Sequence, residues 1–198
     1  MAQSEGESDI AWPATAYPKE MSLRDDSTVS LRPLEVKDAD ALLTFFRDIP
    51  ERERFFLKDD VTLPTLIADW VRGTERAFTL IALVSGRIVG EAALVRRRGK
   101  ARSHVADVRV VVAQDTRGRG LGTALIGELC DVARDAGLSG VLFEAVEDAQ
   151  AEALAAADSL GFVRLGRIYG GAIDPEGRLH DLIVLVMPLR RWRTSSEF

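Results

Sequence analysis

The spacing of apolar residues changes along the chain from a helical period to the two-residue period of strands. A short strand is predicted at Thr28–Arg32, and apolar side chains at helical spacing predict a first helix that ends near Asp48, ahead of Pro50. A second helical pattern covers Leu63–Val71 and ends at Gly73. We therefore expect two helices before the main sheet.

The central part of the chain carries the strand period. Phe78–Val84 and Arg87–Val95 are separated by a Ser-Gly turn, which predicts an antiparallel hairpin. His104–Val112 ends in three valines and predicts a strand that is buried on both faces. Asp107 and Arg109 are unusual in that strand, because they place charges on one of its faces.

A glycine-rich loop, a helix and a further strand follow in that order. The loop Arg117–Gly122 opens a helix that ends near Gly137, and the next strand is Val141–Val146. A crossover of this kind joins parallel strands. A last helix and a closing hairpin are predicted at Ala149–Leu160, Phe162–Ile168 and Leu182–Val186.

Length and composition predict one packed domain. The chain has 198 residues, of which 46% are hydrophobic and 29% charged, and this excludes collagen-like and wholly disordered proteins. Residues 1–26 show neither the helical period nor the two-residue period of strands. We expect a flexible acidic tail over 1–26, a single domain over 27–192 and a short tail over 193–198.

Charge and residue counts narrow the classes of partner. The formal net charge of −5 disfavours nucleic acid as the main partner. Cys130 is the single cysteine and is accompanied by two histidines, which excludes an internal disulfide and the usual zinc spacings. No apolar run approaches the roughly 18 residues of a membrane span, and the N-terminus lacks a signal-peptide pattern. We expect a cytoplasmic protein that uses no metal and no membrane.

The glycine-rich loop has the features of an anion site. A helix N-terminus presents unpaired backbone N–H groups, and glycines let a phosphate approach them. Arg117–Thr123 combines both features. A P-loop requires a lysine that this loop lacks, and a dinucleotide fingerprint requires glycine or alanine where Thr123 and Leu125 stand. The spacing that fits is Arg/Gln-x-x-Gly-x-Gly/Ala.

With the hexapeptide Arg117–Gly122, the chain resembles the GNAT superfamily of acyl-CoA-dependent N-acyltransferases, in which this motif holds the pyrophosphate of coenzyme A. The similarity covers about Thr28–Arg191 and includes the opening VSLRPLEVKDADAL and the valine-rich strand. It implies a mixed α/β fold with a mostly antiparallel sheet of about six or seven strands and about four flanking helices. Two central parallel strands are expected to separate and leave a slot for acyl-CoA.

The resemblance also implies the residues that bind acetyl-CoA. Pantetheine is expected to pair with the backbone of the valine-rich strand, and Gln150 stands where many members have an asparagine that touches it. The implied cofactor-binding residues are Val110, Val111, Val112, Arg117, Gly118, Arg119, Gly120, Leu121, Gly122, Thr123 and Gln150.

The general base is expected among the acidic residues of the central strands. The segment VADVRVVVAQDTRGRGLG looks most like bacterial protein-lysine acetyltransferases, which implies Asp107 as the base. An ion pair with Arg109 on the same face is the alternative role for Asp107. Glu144 and Glu91 are rival bases.

The general acid is less well defined. The tyrosine that many members use falls at Ala157 here, so the proton for the leaving thiolate must come from Tyr169 or from water. His180 and Asp181 are candidates for the acceptor pocket, with a purely structural hairpin end as the alternative.

The function implied by the resemblance is direct transfer of an acetyl or other short acyl group from acyl-CoA to a primary amine, in a ternary complex. A backbone N–H at a strand bulge near Val112 is expected to polarise the carbonyl. A catalytically silent acyl-CoA-binding domain and an RNA- or ribosome-associated module that uses Arg96–Arg102 are the alternatives. The acceptor, a protein lysine, a protein N-terminus or a small amine, stays open, and the apolar last strand with Trp192 suggests a homodimer contact.

Overall fold

The computed structural model describes residues 12–13, 16–73 and 76–191. In this part of the chain there are eight strands and five α-helices. In chain order they are β1 (Lys19–Ser22), β2 (Thr28–Pro33), α1 (Ala39–Asp48), α2 (Glu51–Arg54), α3 (Pro64–Arg72), β3 (Ala77–Val84), β4 (Arg87–Arg96), β5 (Val105–Val112), α4 (Leu121–Asp135), β6 (Gly140–Val146), α5 (Ala151–Ser159), β7 (Val163–Ile173) and β8 (Leu179–Pro188).

The strands form one mixed sheet in the order β1-β2-β3-β4-β5-β6-β8-β7. β5 and β6 are parallel, and the other neighbours are antiparallel. The parallel pair runs only from Val105 opposite Gly140 to Asp107 opposite Leu142, after which the two strands separate. The predicted mostly antiparallel sheet with a splayed central pair is therefore confirmed, with eight strands instead of six or seven.

The additional strand lies within the segment that the sequence assigned to a flexible tail. β1 pairs with β2 over four residues, and the Tyr17 ring before it packs on Phe78 at a centroid distance of 6.2 Å. The strand is short and mostly exposed, so it carries no apolar alternation to detect. For residues 16–26 the structure corrects the tail prediction, while residues 1–11, 14–15 and 192–198, which include the predicted dimer residue Trp192, lie outside the described part.

The additional helix is the single turn α2. Its four residues are Glu, Arg, Glu and Arg, so it has no apolar face that a sequence pattern reveals. Pro50, which we expected only to stop the first helix, is the N-cap residue of α2. Proline is tolerated at a helix start because the first N–H groups need no intrahelical partner.

The helices cover both faces of the sheet. Gly90 on β4 faces α4, because a Cβ built on it would lie 3.0 Å from Leu125 Cδ1. The next residue, Glu91, faces the opposite way and bonds Arg109 at 2.6 Å, and that guanidinium lies 3.8 Å from the Trp70 ring centre on α3. Since α5 packs beside α4 and α1 beside α3, the gap between β5 and β6 is flanked by one helix pair on each face.

Close packing of α4 on β4 predicts the effect of enlarging Gly90. We expect Gly90→Val to lower the free energy of unfolding by about 1–3 kcal/mol, because the added methyl groups meet the fully buried Leu121 and Leu125 side chains. Urea denaturation measures the change. Gly166→Val is the matched control, since a Cβ at this exposed β7 position has no atom within 4 Å. An equal loss at both positions would contradict the packing argument.

Candidate functional site

The glycine-rich loop connects the end of β5 to the first turn of α4. Gly118 and Gly120 have φ of 74° and 89°, a left-handed conformation that glycine adopts without steric cost. The first intrahelical bond of α4 runs from the Ala124 N–H to the Gly120 carbonyl at 3.0 Å. The N–H groups of the first helical turn before Ala124 therefore have no intrahelical partner, and Leu121, Gly122 and Thr123 line a cavity.

The two arginines of the motif brace the loop. Arg117 Nε donates to the Val112 carbonyl at 3.1 Å, and its Nη2 bonds Glu53 on α2. This guanidinium is the main reason that the pKa of Glu53 is lowered. Arg119 donates to the Asp115 carbonyl at 2.8 Å and pairs with Asp25 at 3.1 Å. Both predicted cofactor residues thus have protein partners, and Arg119 is not among the residues that line the cavity.

The gap beside β5 exposes backbone groups that a ligand can bind. Hydrogen bonds from Arg97 N–H to the Val105 carbonyl (3.2 Å) and from Ala113 N–H to the Val89 carbonyl (2.9 Å) frame the β4–β5 ladder. Because N–H directions alternate along a strand, the backbone groups of residues 110 and 112 point away from β4, towards the gap. The register between β4 and β5 is continuous from Val112 to residue 106, so the strand bulge expected near Val112 is not present.

Gln150 lies at the other side of the gap. Its side-chain Oε1 accepts a hydrogen bond from the Val146 N–H at 2.8 Å, and its backbone N–H donates to the Val146 carbonyl at 2.9 Å. These bonds fix Gln150 between the end of β6 and the start of α5, where it lines the cavity. The Gln150 side chain is therefore fixed at the edge of the cavity.

One cavity of about 820 Å³ connects the loop, the gap and both faces of the sheet. It includes the predicted cofactor residues Val110, Val111, Val112, Arg117, Gly118, Gly120, Leu121, Gly122, Thr123 and Gln150. On the α4–α5 side it is also lined by Ile126, Ala153 and Ala156, and on the other side by Ile49, Arg52, Phe56, Leu57 and His180. A ligand in the gap is thus reachable from two directions.

The predicted bases lie next to this cavity but do not line it. Both Asp107 carboxylate oxygens accept hydrogen bonds from Arg97 at 2.8–3.1 Å, and the same guanidinium reaches Glu144 at 3.5 Å. Lys58 pairs with the other Glu144 oxygen at 2.9 Å. The expected Asp107–Arg109 ion pair is wrong, since the fully buried Glu91 bonds Arg109. The sequence did not reveal that these charges pair across strands.

Asp107 lines a second groove, also of about 820 Å³, on the α1–α3 face. The arginine-rich β4–β5 loop borders this groove, and Arg97, Arg98 and Arg102 are among its lining residues. The two cavities have no lining residue in common. The basic loop therefore borders a different cavity from the one that contains the predicted cofactor residues.

Neither position considered for a general acid lies in the cavity. Tyr169 on β7 is 82% exposed and stands beside Arg167, whose guanidinium is 5.9 Å from its ring centre. A register irregularity between Ile168 and Ala172 directs this part of the edge strand outwards. Ala157 is fully buried in α5. The structure therefore does not bring Tyr169 to the other predicted site residues.

The structure places the candidate residue His180 between two carboxylates. His180 Nδ1 lies 2.8 Å from Asp148, and Nε2 lies 3.1 Å from Asp174. Hydrogen bonds to Asp174 and then to Asp148 raise the pKa of His180, and the bond from His180 lowers the pKa of Asp148. All three residues line the cavity. Asp181, the other candidate for the acceptor pocket, pairs with Arg167 at 3.2 Å and is not among the residues that line the cavity.

Arg24 is a second cavity residue that the sequence did not reveal. It lies in the turn between β1 and β2, within the segment taken for a tail, and it lines the cavity beside Gly120. No motif or period marks this position, because its placement depends on how the hairpin docks on the loop.

In the part of the chain that the structure describes, no helix is long and apolar enough to cross a membrane. The same residues contain no group of three or more His, Cys, Asp or Glu side chains arranged to hold a metal ion.

Comparison with known proteins shows which protein family the chain matches. The family described as "Acetyltransferase (GNAT) family" matches residues 42–162. A glucosamine 6-phosphate N-acetyltransferase from Trypanosoma brucei brucei is 39% identical over 83 residues, which are 39% of this chain and 52% of the relative. The chain thus spans about half the length of this relative.

Several solved structures share the fold. The GNAT domain of S. lividans PAT has a TM-score of 0.73 at 20% identity and covers 90% of this chain and 99% of its own. A GCN5-related N-acetyltransferase from Kribbella flavida has a TM-score of 0.71 at 27% identity and covers 81% of this chain and 97% of its own. The structure of yncA from Salmonella typhimurium, solved with its cofactor acetyl-CoA, has a TM-score of 0.71 at 20% identity and covers 81% of this chain and 94% of its own.

The Asp148–His180–Asp174 cluster predicts a pH-dependent contribution to stability. The pKa of His180 is raised above 6.5, so the ion pairs stabilise the fold fully below about pH 6.5 and less as the pH rises through the raised value. At acid pH the contribution is lost as the two carboxylates, whose pKa values are lowered, become protonated. We expect His180→Gln to lower Tm by a few degrees near pH 6 and by less near pH 9.

Thermal denaturation across pH 5–9 measures this difference. His104→Gln is the control, because His104 is exposed at the start of β5 and outside the cluster. A His180→Gln deficit that grows towards pH 9 would contradict the assignment.

Proposed function

The chain belongs to the GNAT family of acetyltransferases, and from this premise we propose that it transfers an acetyl group from acetyl-CoA directly to a primary amine. The observation that carries the proposal is the cavity that crosses the sheet where β5 and β6 separate. A cofactor and an acceptor that enter from opposite faces meet in this gap, which suits direct transfer in a ternary complex.

The residues around the gap fit acetyl-CoA. The pyrophosphate is taken by the free N–H groups of the first turn of α4, where a Cβ on Gly122 would have no atom nearer than 3.7 Å and the approach is therefore open. Pantetheine lies along β5 and bonds the backbone of Val110 and Val112, as an added strand does. Gln150 contacts it from the β6 side.

Glu144 is the proton acceptor that the contacts favour. It lies beyond the last β5–β6 pair, so it flanks the open part of the gap; Arg97 approaches one of its oxygens only to 3.5 Å, and the exposed Lys58 pairs with the other at 2.9 Å. Asp107 lies at the closed end, and Arg97 occupies both of its oxygens. In this proposal Glu144 receives the ammonium proton, directly or through water, while Asp107 and Arg97 position it.

For the acyl transfer itself, the protein contributes a backbone hydrogen bond. The amine nitrogen attacks the thioester carbonyl carbon, and a β5 N–H that points into the gap stabilises the oxyanion. As the C–S bond breaks, the attacking nitrogen loses its second proton, and water relays that proton to the CoA thiolate, which is a moderate leaving group because a thiol pKa lies near 8.5. These steps use no metal, membrane or nucleic acid, and the proposed location of the protein is the cytoplasm.

The acceptor is best sought among amines of two classes. The name of the Trypanosoma relative favours an amino sugar phosphate, and the sequence resemblance to protein-lysine acetyltransferases favours lysine peptides. We therefore propose a panel of glucosamine 6-phosphate, lysine peptides and peptides with free N-termini, with CoA release followed by a thiol-reactive dye. Amine-dependent release identifies the acceptor.

A catalytically silent acyl-CoA-binding domain is the second candidate. It is favoured by the burial of Ala157 and the exposure of Tyr169, which leave no tyrosine acid at the cavity within the described residues. Firm acetyl-CoA binding without CoA release with any amine in the panel would support this candidate against the enzyme.

Gly122→Val tests the phosphate site. The substitution occupies the open approach to the first turn of α4, so we expect CoA affinity to fall at least about tenfold, as expected when hydrogen bonds to a charged group are blocked. Gly122 lies within the helix and its only near neighbour is Val112 Cγ2 at 3.7 Å, so the fold is retained. Calorimetry measures binding, and circular dichroism checks the helix. Unchanged affinity in a folded variant would refute the site.

Glu144→Gln and Asp107→Asn distinguish the two bases. We expect Glu144→Gln to lower kcat by roughly 10²–10⁴-fold with little change in CoA affinity. Asp107→Asn breaks a half-buried pair with Arg97, so it is expected to cost about 1 kcal/mol of stability and less than about tenfold in kcat. Steady-state kinetics and urea denaturation provide both readouts. The reverse pattern would make Asp107 the base.

A further inference from the structure

Arg24 places a positive charge over the first turn of α4. Its backbone N–H donates to the Arg119 carbonyl at 3.0 Å, which fixes the β1–β2 turn on the glycine-rich loop. A Cβ built on Gly120 would lie 3.3 Å from Arg24 Nε and 3.4 Å from its Cγ. The guanidinium therefore stands next to the unpaired N–H groups of the helix and lines the same cavity.

The motif arginines do not provide this charge. Glu53 pairs with Arg117, and Asp25 pairs with Arg119 at 3.1 Å. Within residues 12–13, 16–73 and 76–191, no carboxylate makes an ion pair with Arg24. Among the described arginines that contact the glycine-rich loop, the one without a carboxylate partner thus comes from the β1–β2 hairpin.

We propose that Arg24 binds the pyrophosphate of coenzyme A together with the first turn of α4. The inference rests on the proposed function, because it takes acetyl-CoA as the ligand of the cavity. A helix N-terminus supplies only about half a positive charge, whereas a pyrophosphate diester carries two negative charges. A guanidinium beside it supplies the missing charge and a planar pair of donors that matches phosphate oxygens.

This contact makes the N-terminal hairpin part of the cofactor site. The hairpin is held by the short β1–β2 ladder, by the Arg24–Arg119 backbone bond and by the Asp25–Arg119 pair. A bound phosphate adds a link between the turn and α4. The bound cofactor therefore stabilises the turn, and amide hydrogen exchange in residues 22–28 is expected to slow when CoA binds.

Calorimetry with CoA and with dephospho-CoA, which lacks only the 3′-phosphate, tests the assignment. We expect Arg24→Gln to weaken both ligands roughly tenfold, because a charge-assisted bond to the shared pyrophosphate is lost. Arg24→Lys is expected to recover part of the loss. The backbone bond to Arg119 survives both substitutions, and the exposed Arg47 on α1 gives the control Arg47→Gln.

The outcomes separate this inference from the proposed function. Equal losses for the two ligands, with unchanged binding in the Arg47→Gln control, support the pyrophosphate contact. A loss confined to CoA assigns Arg24 to the 3′-phosphate and overturns the proposal, as does unchanged binding of both ligands. If the parent protein itself binds neither ligand, the proposed function fails along with the inference.

Discussion

The short pairing between β5 and β6 is the constraint on which the site depends. The two strands share only three residue pairs, yet each is held on its other side along its length, β5 by β4 and β6 by β8. The gap is therefore bounded on both sides by strands that are paired to their outer neighbours. Buried backbone groups need partners, so the β5 groups that face the gap favour a ligand with amide donors and acceptors along its length. Pantetheine is such a ligand.

A network of charges lies where β5 and β6 part. Arg97 lies beside both Asp107 on β5 and Glu144 on β6, and Lys58 adds a second cation next to Glu144. The network gives the two carboxylates different surroundings, because Arg97 takes both oxygens of Asp107, whereas it approaches only one oxygen of Glu144 and the exposed Lys58 pairs with the other. The proposed difference in role between Glu144 and Asp107 rests on this asymmetry.

Local patterns in the sequence predicted the elements that the site is built on. The spacing Gly118, Gly120 and Gly122 depends on backbone conformation, so it was visible before any tertiary contact was known. The partner of Asp107 depends on strand register, so the alternative of an ion pair with Arg109 on the same strand is wrong. Arg24 lies in a segment without period, and its role appears only when the hairpin docks on the loop.

Some residues of the site lie within the part of the chain that matches the family, and others lie outside it. The loop, the gap and Gln150 lie within residues 42–162, the part that matches the family. Arg24 precedes that range, and Asp174 and His180 follow it, yet all three line the same cavity. The proposed contact of Arg24 with the pyrophosphate and the His180–Asp174 pair therefore depend on hairpins that lie outside the part of the chain that matches the family.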